Sequence, residues 1–402
     1  MMRLADLIAQ FDTDLLQRYG ARLLPSQRQA LSALGSCRTR FAPHMLAACS
    51  GCQTQRCLPH SCGHRACPHC QHFESAAWLQ RQLQALVPAT YFLVTFTLPA
   101  QLRALAWAHQ RVVYEVLMRC AWDTLNTFSQ NDKQLSGTPG ALAVLHTHNR
   151  QLGFHPHVHV CMPAAAFSAK ERLWRTKVKL GKSGIAKPVG TTAGTPAPAR
   201  GGYLFNHKAL GKVFAAKVRA GLADAGFTLP AGLPERWVVD CKAVGDGQAA
   251  LRYLGRYLYR GVISERDILR CQDGLVTFRY RDAQSGKPAT RTLPGADFLW
   301  LLLQHVLPKG FQRARNFGFL HHNSRRTLRL LQVLHLRPLA QSAVPPTATT
   351  SPTSPPRPVW RCACGGAMVI LKRRLRPDAV PPCAAPQAVQ PDKAGPVEAS
   401  KH

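Results

Sequence analysis

Residues 154–160 constrain the fold more than any other stretch, because histidine and valine alternate along them. In an extended strand, alternate side chains point to the same face of the sheet. His157 and His159 therefore share one face, while Val158 and Val160 point into a core on the other. Neutral imidazole is a common ligand of divalent cations, so the pair favours a metal site on a strand. The alternative is a histidine-rich surface strand that binds no metal.

Residues 249–260 are predicted to form a helix with three different faces. Leucines at helical spacing give the helix one apolar stripe. Tyr253 and Tyr257 share a second face, because successive helical residues are rotated by about 100°. A third face carries arginines: Arg252, Arg256 and Arg260. Alone, the tyrosines would suit the edge of a core, but the arginines and the upstream histidine strand favour a reactive site.

The three residue types together suit an attack on a phosphodiester. A tyrosine hydroxyl has a pKa of about 10 and is a poor nucleophile near neutral pH. A metal that polarises the phosphate and neutralises the developing charge would make the attack possible. Arginines on a neighbouring face would hold the phosphates through charge-assisted hydrogen bonds.

The order and type of these motifs resemble HUH-type, two-tyrosine transposases of rolling-circle insertion sequences, which carry an N-terminal zinc-binding domain. The resemblance covers about residues 40–330. Four further segments share it: residues 91–99, 143–147, 307–311 and 318–320. It implies that His157 and His159 bind Mg2+ or Mn2+, and that Tyr253 and Tyr257 are nucleophiles. The chain would then nick single-stranded DNA at element ends and transfer strands through a covalent phosphotyrosine.

A third ligand for the metal is expected from a neighbouring strand. Residues 142–147 have the pattern of a strand, and His146 lies near its end. A central sheet could bring His146 beside the histidine pair. Otherwise His146 is a sheet histidine with its hydrogen bonds satisfied, or His155, a carboxylate or water completes the site.

Two Cys-x-x-Cys pairs indicate a structural zinc site. Their spacing suits one tetrahedral ion bound by Cys49, Cys52, Cys67 and Cys70. Such an ion would fold a segment that has little apolar core of its own. Cys57 and Cys62 are surplus, and either could replace a ligand or bind a second ion. Near the C-terminus, Cys362 and Cys364 are one residue closer than such a pair, and we do not expect them to bind zinc.

The charge of the chain indicates a polyanionic partner. Lys and Arg number 52 against 20 Asp and Glu, which gives a net charge of +32. Nucleic acid is the simplest partner for such an excess. Candidate DNA contacts are the three helix arginines and the basic, phenylalanine-interleaved residues Lys309, Arg313 and Arg315. The alternative for this second group is a solvated helix face over a small core.

The predicted fold is α+β: the resemblance implies an HUH endonuclease-like central antiparallel sheet with flanking helices, joined to an N-terminal zinc module with four cysteine ligands and a basic C-terminal helical part. Five regions are expected: an N-terminal helical segment (1–40), the zinc module (41–85), a nuclease domain (86–265) with a flexible loop (177–202), a basic region (266–338), and a linker with a disordered tail (339–402). Early acidic residues argue against a signal peptide, and the apolar run at 298–303 is too short to span a bilayer. We therefore expect a cytoplasmic bacterial protein without a membrane partner.

Two other functions fit parts of the pattern. A plasmid relaxase or rolling-circle replication initiator would use the same histidines and tyrosines, although the zinc module and residues 307–311 favour the transposase. A zinc-dependent DNA-binding protein without catalysis would keep the charge and the cysteines, but its tyrosines would be structural.

Overall fold

The computed structural model describes residues 2–177, 204–258, 262–282, 285–335 and 360–375. Residues 178–202 of the predicted loop, and residues 339–359 and 376–402 of the predicted linker and tail, lie outside these ranges. Among the described helices, none combines the length and the apolar character needed to cross a bilayer.

The helices of the described residues mostly follow the apolar periodicity of the sequence. They are α1 (Leu4–Tyr19), α2 (Pro25–Ser36), α3 (His72–Gln84), α4 (Arg103–Ala108), α5 (Gln110–Asn131), α6 (His207–Asp224), α7 (Gln248–Leu258), α8 (Gly295–Leu303) and α9 (Arg325–His335). The helical pattern of residues 4–34 is divided between α1 and α2. The division falls at Pro25, which lacks an N–H and is favoured in the first turn of a helix.

The strands within the described ranges form three antiparallel sheets. They are β1 (His44–Cys49), β2 (Gln55–Pro59), β3 (Tyr91–Thr97), β4 (Thr138–His148), β5 (Phe154–Pro163), β6 (Ala165–Ser168), β7 (Leu173–Thr176), β8 (Val239–Ala243), β9 (Ile268–Gln272), β10 (Leu275–Arg281), β11 (Pro288–Pro294), β12 (Ala314–Gly318) and β13 (Met368–Leu375). The predicted combination of antiparallel sheet and flanking helices is therefore present.

The central sheet has the order β7-β6-β4-β5-β3-β8, and β12 also pairs with β4. Its register aligns His146 on β4 with His157 on β5, and His159 on β5 with Thr95 on β3. Because these positions share the same parity, all four side chains lie on one face of the sheet.

The two faces of this sheet carry different helices. One face packs on α5 and α6 through a large apolar core that includes Val158 and Val160. The other face packs on α3 and α7, and its core includes Leu142 and Val144 of β4. The histidine face is therefore the face that α7 covers.

Helix α7 begins and packs as its sequence predicts. The Asp246 carboxylate accepts a hydrogen bond from the backbone N–H of Gln248 (3.0 Å). The leucine stripe of the helix is buried. Gly255 brings the helix close to α3, because a Cβ there would lie 3.2 Å from the Trp78 ring. Close packing of this kind fixes α7 over the sheet.

The N-terminal helices pack against the C-terminal part of the chain. Helices α1 and α2 share a core with α8 and with the sheet β9–β11. In the predicted basic region, residues 314–318 form strand β12, which pairs with β4 in the central sheet. They are therefore not part of the solvated helix face that was the alternative prediction for this region.

A small sheet of order β13-β1-β2 joins the two ends of the chain. The expectation of a disordered tail over residues 339–402 is therefore wrong for residues 368–375, which pair with β1. The physical reason is that β2 pairs with only one edge of β1, and β13 satisfies the backbone groups of the other edge.

Candidate active site and metal centres

Three histidines meet on the covered face of the central sheet. One ligand nitrogen from each of His146, His157 and His159 lies within 4.8 Å of the others. The His146 ring lies 4.6 Å from the His159 ring and 5.4 Å from the His157 ring. His146 and His159 are buried and His157 is partly buried, so the strands place the three imidazoles in one shielded group.

The two strand histidines are oriented with their Nε2 atoms towards each other. The Nε2 atoms of His157 and His159 are 3.2 Å apart. His157 Nδ1 lies 2.7 Å from the His155 carbonyl oxygen, which only a protonated Nδ1 can contact as a donor. His159 Nδ1 lies 2.9 Å from the Thr95 hydroxyl. A proton on Nδ1 leaves the Nε2 lone pair available to a cation.

The spacing of these nitrogens fits a shared metal ion. Around an octahedral cation, two imidazole nitrogens with bonds of about 2.1 Å and an angle of about 90° would be about 3.0 Å apart. Without a cation or a shared proton, two lone pairs at 3.2 Å would repel each other. The donor set therefore suits a divalent cation.

Burial keeps the cluster uncharged at neutral pH. It lowers the pKa of His157 to about 4 and that of His159 to about 3, and it holds the pKa of His146 well below its usual value. Since metal ligation requires neutral imidazole, all three side chains are in the form that binds a cation.

Tyr253 is the helix residue that reaches this group. Its ring lies 6.1 Å from the His159 ring and 6.5 Å from the His146 ring. The side chain is 41% exposed, so a polymer could approach it from solvent. The side chains of Tyr257 and Arg256, and the whole of Arg260, lie outside the described residues.

The predicted DNA contacts have unequal surroundings. Arg252 and Lys309 are exposed and available to a polyanion. Arg313 is partly buried, and burial lowers its pKa to about 10, so it keeps its charge at neutral pH. Arg315 instead forms two hydrogen bonds with the Glu115 carboxylate, of 2.5 and 2.7 Å. That Arg315 contacts DNA stays a prediction, and its charge is already paired with a carboxylate that is distant in sequence.

The structure adds residues that the sequence pattern did not single out. His305, which follows α8, contacts His148 of β4, and their ring centroids are 5.2 Å apart. The neighbouring histidines therefore continue from the central sheet towards the end of α8. A cavity of about 500 Å³ nearby is lined by His305, Arg313 and Arg65. The sequence does not place Arg65 here, because only folding brings the cysteine module to this cavity, where Arg65 donates to the Pro308 and Phe311 carbonyls.

Among the residues that the structure describes, eight cysteines form two groups. The first contains Cys37, Cys62, Cys67 and Cys70, and the second contains Cys49, Cys52, Cys362 and Cys364. The prediction that Cys49, Cys52, Cys67 and Cys70 bind one ion is therefore wrong in its grouping. Cys49 ends β1 and Cys52 lies in the turn before β2, whereas Cys67 and Cys70 follow β2. A strand of five residues spans roughly 16 Å, which holds the two pairs apart.

The first group has the donor chemistry of a structural zinc site. Cys37 Sγ lies 3.5 Å from Cys67 Sγ and 3.6 Å from Cys70 Sγ. Around a tetrahedral zinc ion with bonds of about 2.3 Å, sulfurs are about 3.8 Å apart. The surplus Cys62 is thus a member of this group, and Cys57 belongs to neither group among the described residues.

Comparison with known proteins identifies two regions of the chain. Residues 7–98 match a family described as "Transposase zinc-binding domain", and residues 140–327 match one described as "Putative transposase". The first range contains the whole first cysteine group, and the second contains the histidines and Tyr253. No solved structure matches the chain significantly.

Two relatives agree with these matches. The chain is 33% identical over 361 residues to "Putative transposase y4qJ" of Sinorhizobium fredii (strain NBRC 101917 / NGR234). This alignment covers 84% of this chain and 86% of that protein. It is 27% identical over 295 residues to "Transposase for insertion sequence element IS801" of Pseudomonas savastanoi pv. phaseolicola, covering 71% and 65% respectively. The chain therefore belongs to a family of transposases, and its N-terminal part matches their zinc-binding domain.

Proposed function

We propose that the chain is an HUH-type transposase, which nicks single-stranded DNA with a tyrosine and transfers the strand in rolling-circle transposition. The observation that carries the proposal is the position of the Tyr253 ring, 6.1 Å from the His159 ring and open to solvent. The family membership supports a DNA-processing reaction, and the charge of +32 supports a DNA partner.

Tyr253 is the proposed nucleophile, with Tyr257 as the second. The phenolic oxygen forms a bond to phosphorus, and the bond from phosphorus to one bridging oxygen of the strand breaks. The phenol proton passes to solvent, and the leaving oxygen takes a proton to become a free hydroxyl. The phosphotyrosine keeps the energy of the broken bond for rejoining, so no external energy source is needed.

His157 and His159, with His146 as third ligand, would hold Mg2+ or Mn2+. Bound there, the ion would polarise the scissile phosphate and stabilise the charge that develops on it. The protein supplies neutral, buried imidazoles and fixes two of them through the His155 carbonyl and the Thr95 hydroxyl. Arg252, on the exposed side of α7, is the proposed phosphate contact among the described arginines of that helix.

The other candidate functions have less support. A relaxase or replication initiator would use the same site, but both relatives above are named as transposases. A DNA-binding protein without catalysis does not require a solvent-exposed tyrosine beside buried, neutral histidines.

The test is formation of a covalent protein–DNA species. Labelled single-stranded element ends are incubated with the full chain and Mn2+, and adducts are separated on a denaturing gel. We expect an adduct with the natural chain and none with Tyr253→Phe/Tyr257→Phe. Tyr280→Phe is the matched control, because Tyr280 lies on β10 and its hydroxyl contacts Gln151.

A second pair of variants separates the metal from the nucleophile. His157→Ala/His159→Ala should abolish the adduct and also Mn2+ binding, whereas His322→Gln, on an exposed turn, should change neither. An adduct that persists in the double tyrosine variant would overturn the nucleophile assignment. Normal nicking by the double histidine variant would overturn the metal assignment.

A further inference from the structure

We propose that the chain holds a second structural zinc ion, bound by Cys49 and Cys52 near the N-terminus and by Cys362 and Cys364 near the C-terminus. The matched zinc-binding domain ends at residue 98 and the second matched region ends at residue 327. Cys362 and Cys364 therefore lie outside both, and their spacing alone argued against a metal.

The four sulfurs are arranged as ligands of one ion. Cys49 Sγ lies 3.4 Å from Cys364 Sγ, Cys52 Sγ lies 3.6 Å from Cys362 Sγ, and Cys52 Sγ lies 3.5 Å from Cys364 Sγ. All four sulfurs lie within 4.8 Å of one another. Several near-equal separations, slightly below the 3.8 Å expected around zinc, indicate a tetrahedron rather than two isolated pairs.

A backbone N–H group and two glycines lie close to the sulfurs of the two pairs. The N–H of Gly51 lies 3.3 Å from Cys49 Sγ, where it stabilises a thiolate. On the other side, a Cβ at Gly366 would lie 2.7 Å from Cys49 Sγ. Residues 362–366 form a tight turn, in which the N–H of Cys362 donates to the Gly366 carbonyl (2.8 Å). This turn explains how Cys362 and Cys364, although only two residues apart, can bind the same ion.

The sheet that carries these cysteines is too small to fold by hydrophobic burial. Its core contains six buried residues, of which two are themselves ligands, with Trp360 packed against them: Met45, Ala47, Cys49, Leu58, Cys362 and Met368. Units of this size usually require a metal or disulfides for stability. A tetrathiolate zinc ion supplies the missing stability and fastens β13 to β1.

The ion would thus join the two ends of the chain. Strand β13 covers the edge of β1, with Cys49 opposite Met368. Removal of either cysteine pair would release the C-terminal strand while leaving the first cysteine group, which draws its ligands from residues 37–70, in place.

Zinc counting on the full chain tests the proposal. Metal per chain is measured by mass spectrometry of the element against amino-acid analysis. We expect two zinc ions in the natural chain and one in Cys362→Ser/Cys364→Ser, in Cys49→Ser/Cys52→Ser, and in the variant that combines all four changes. Cys57→Ser, in the same small sheet but outside both groups, should keep two.

Alkylation of Cys364 provides a readout that a general loss of folding does not imitate. With zinc bound, Cys364 should react slowly despite its exposure. In Cys49→Ser/Cys52→Ser its reaction should become at least about 10-fold faster, because the free thiol is no longer held as a metal-bound thiolate. Cys271, which lies in neither group, should react equally in all variants.

Three results would overturn the proposal. One is a single zinc ion in the natural chain. Another is loss of both ions from either double variant, which would mean that the centres are not independent. The third is a disulfide between Cys49 and Cys364, or between Cys52 and Cys362, in the intact mass of the natural protein. None of these results depends on nicking activity, so they leave the proposed function to its own test.

Discussion

The ring of Tyr253 on α7 meets the ring of His159 on β5 nearly edge-on, with centroids 6.1 Å apart and an interplanar angle of 84°. The two residues are distant in sequence and meet because the leucine stripe of α7 packs on the histidine face of the central sheet. This relationship turns a histidine strand and a tyrosine helix into one candidate active site, and the predictions below test its parts.

Loss of the Thr95 hydroxyl should weaken the metal site. The hydroxyl lies 2.9 Å from His159 Nδ1 and orients the ring. Because such partners of metal-bound histidines contribute about 10–100-fold to affinity, Thr95→Val should raise the Mn2+ dissociation constant by that factor. Isothermal titration calorimetry measures it. Thr277→Val, which removes a hydroxyl paired with Thr292 in another sheet, is the control. Equal affinities in the two variants would contradict the orienting contact.

Metal binding at the histidines should resist acid. A proton competes with the cation for each imidazole, and burial lowers the pKa of His157 to about 4 and of His159 to about 3. Mn2+ affinity should therefore change little from pH 8 to about 5.5 and fall at lower pH, whereas an exposed pair with pKa of about 6.5 would lose affinity below pH 7. Electron paramagnetic resonance of free Mn2+ over this range measures the curve. A midpoint near pH 6.5 would rule out buried ligands.

The same pKa shifts predict the sign of acid destabilisation. A histidine whose pKa is lowered by folding stabilises the folded state fully above its unfolded value of about 6.5. That stabilisation is lost as the pH falls towards 4. Urea unfolding of the metal-free chain should show it, and His157→Ala/His159→Ala should reduce the pH dependence in this window. An unchanged dependence would show that these groups are not shielded in solution.

Arg315 and Arg252 should respond differently to substitution. Arg315 is bound by the Glu115 carboxylate, whereas Arg252 is exposed on α7. Arg252→Ala should weaken single-stranded DNA binding and reduce its salt dependence by about one charge. Arg315→Ala should leave the salt dependence unchanged and destabilise the fold by roughly 1 kcal/mol, as expected for a partly exposed pair. Fluorescence anisotropy at several salt concentrations, with thermal unfolding, distinguishes the two effects. If Arg315→Ala reduced the salt dependence of DNA binding, Arg315 would be a DNA contact.

Gly318 should tolerate no side chain, because it ends β12 at a crowded point beside β4. Its φ is +59°, and an added Cβ would overlap the Pro139 carbonyl oxygen. Gly318→Ala should therefore destabilise the fold by at least about 3 kcal/mol. Gly226→Ala is matched in backbone conformation, with a φ of +83° and no neighbour within 4 Å, and should cost only about 1–2 kcal/mol. Urea unfolding compares them, and equal losses would contradict the steric argument.

Local sequence carried much of the site. Alternation along residues 154–160 placed His157 and His159 on one face, because side chains alternate in any extended strand. Helical spacing gave α7 its leucine stripe and the position of Tyr253. Strand pairing was less determined, since His146 was only one of several candidate ligands until the register of β4 and β5 aligned it with His157.

Periodicity and charge, which depend on neighbouring residues, were thus sufficient to predict the histidine strand, the helix that carries Tyr253 and a polyanionic partner. Tertiary structure alone decided which distant groups share a location: Glu115 with Arg315, Arg65 with the cavity, and Cys362 and Cys364 with the N-terminal cysteines. The spacing of Cys-x-x-Cys pairs limits which sulfurs can reach an ion. It does not select among them, because a hairpin can hold adjacent pairs apart while sheet pairing brings the two ends of the chain together.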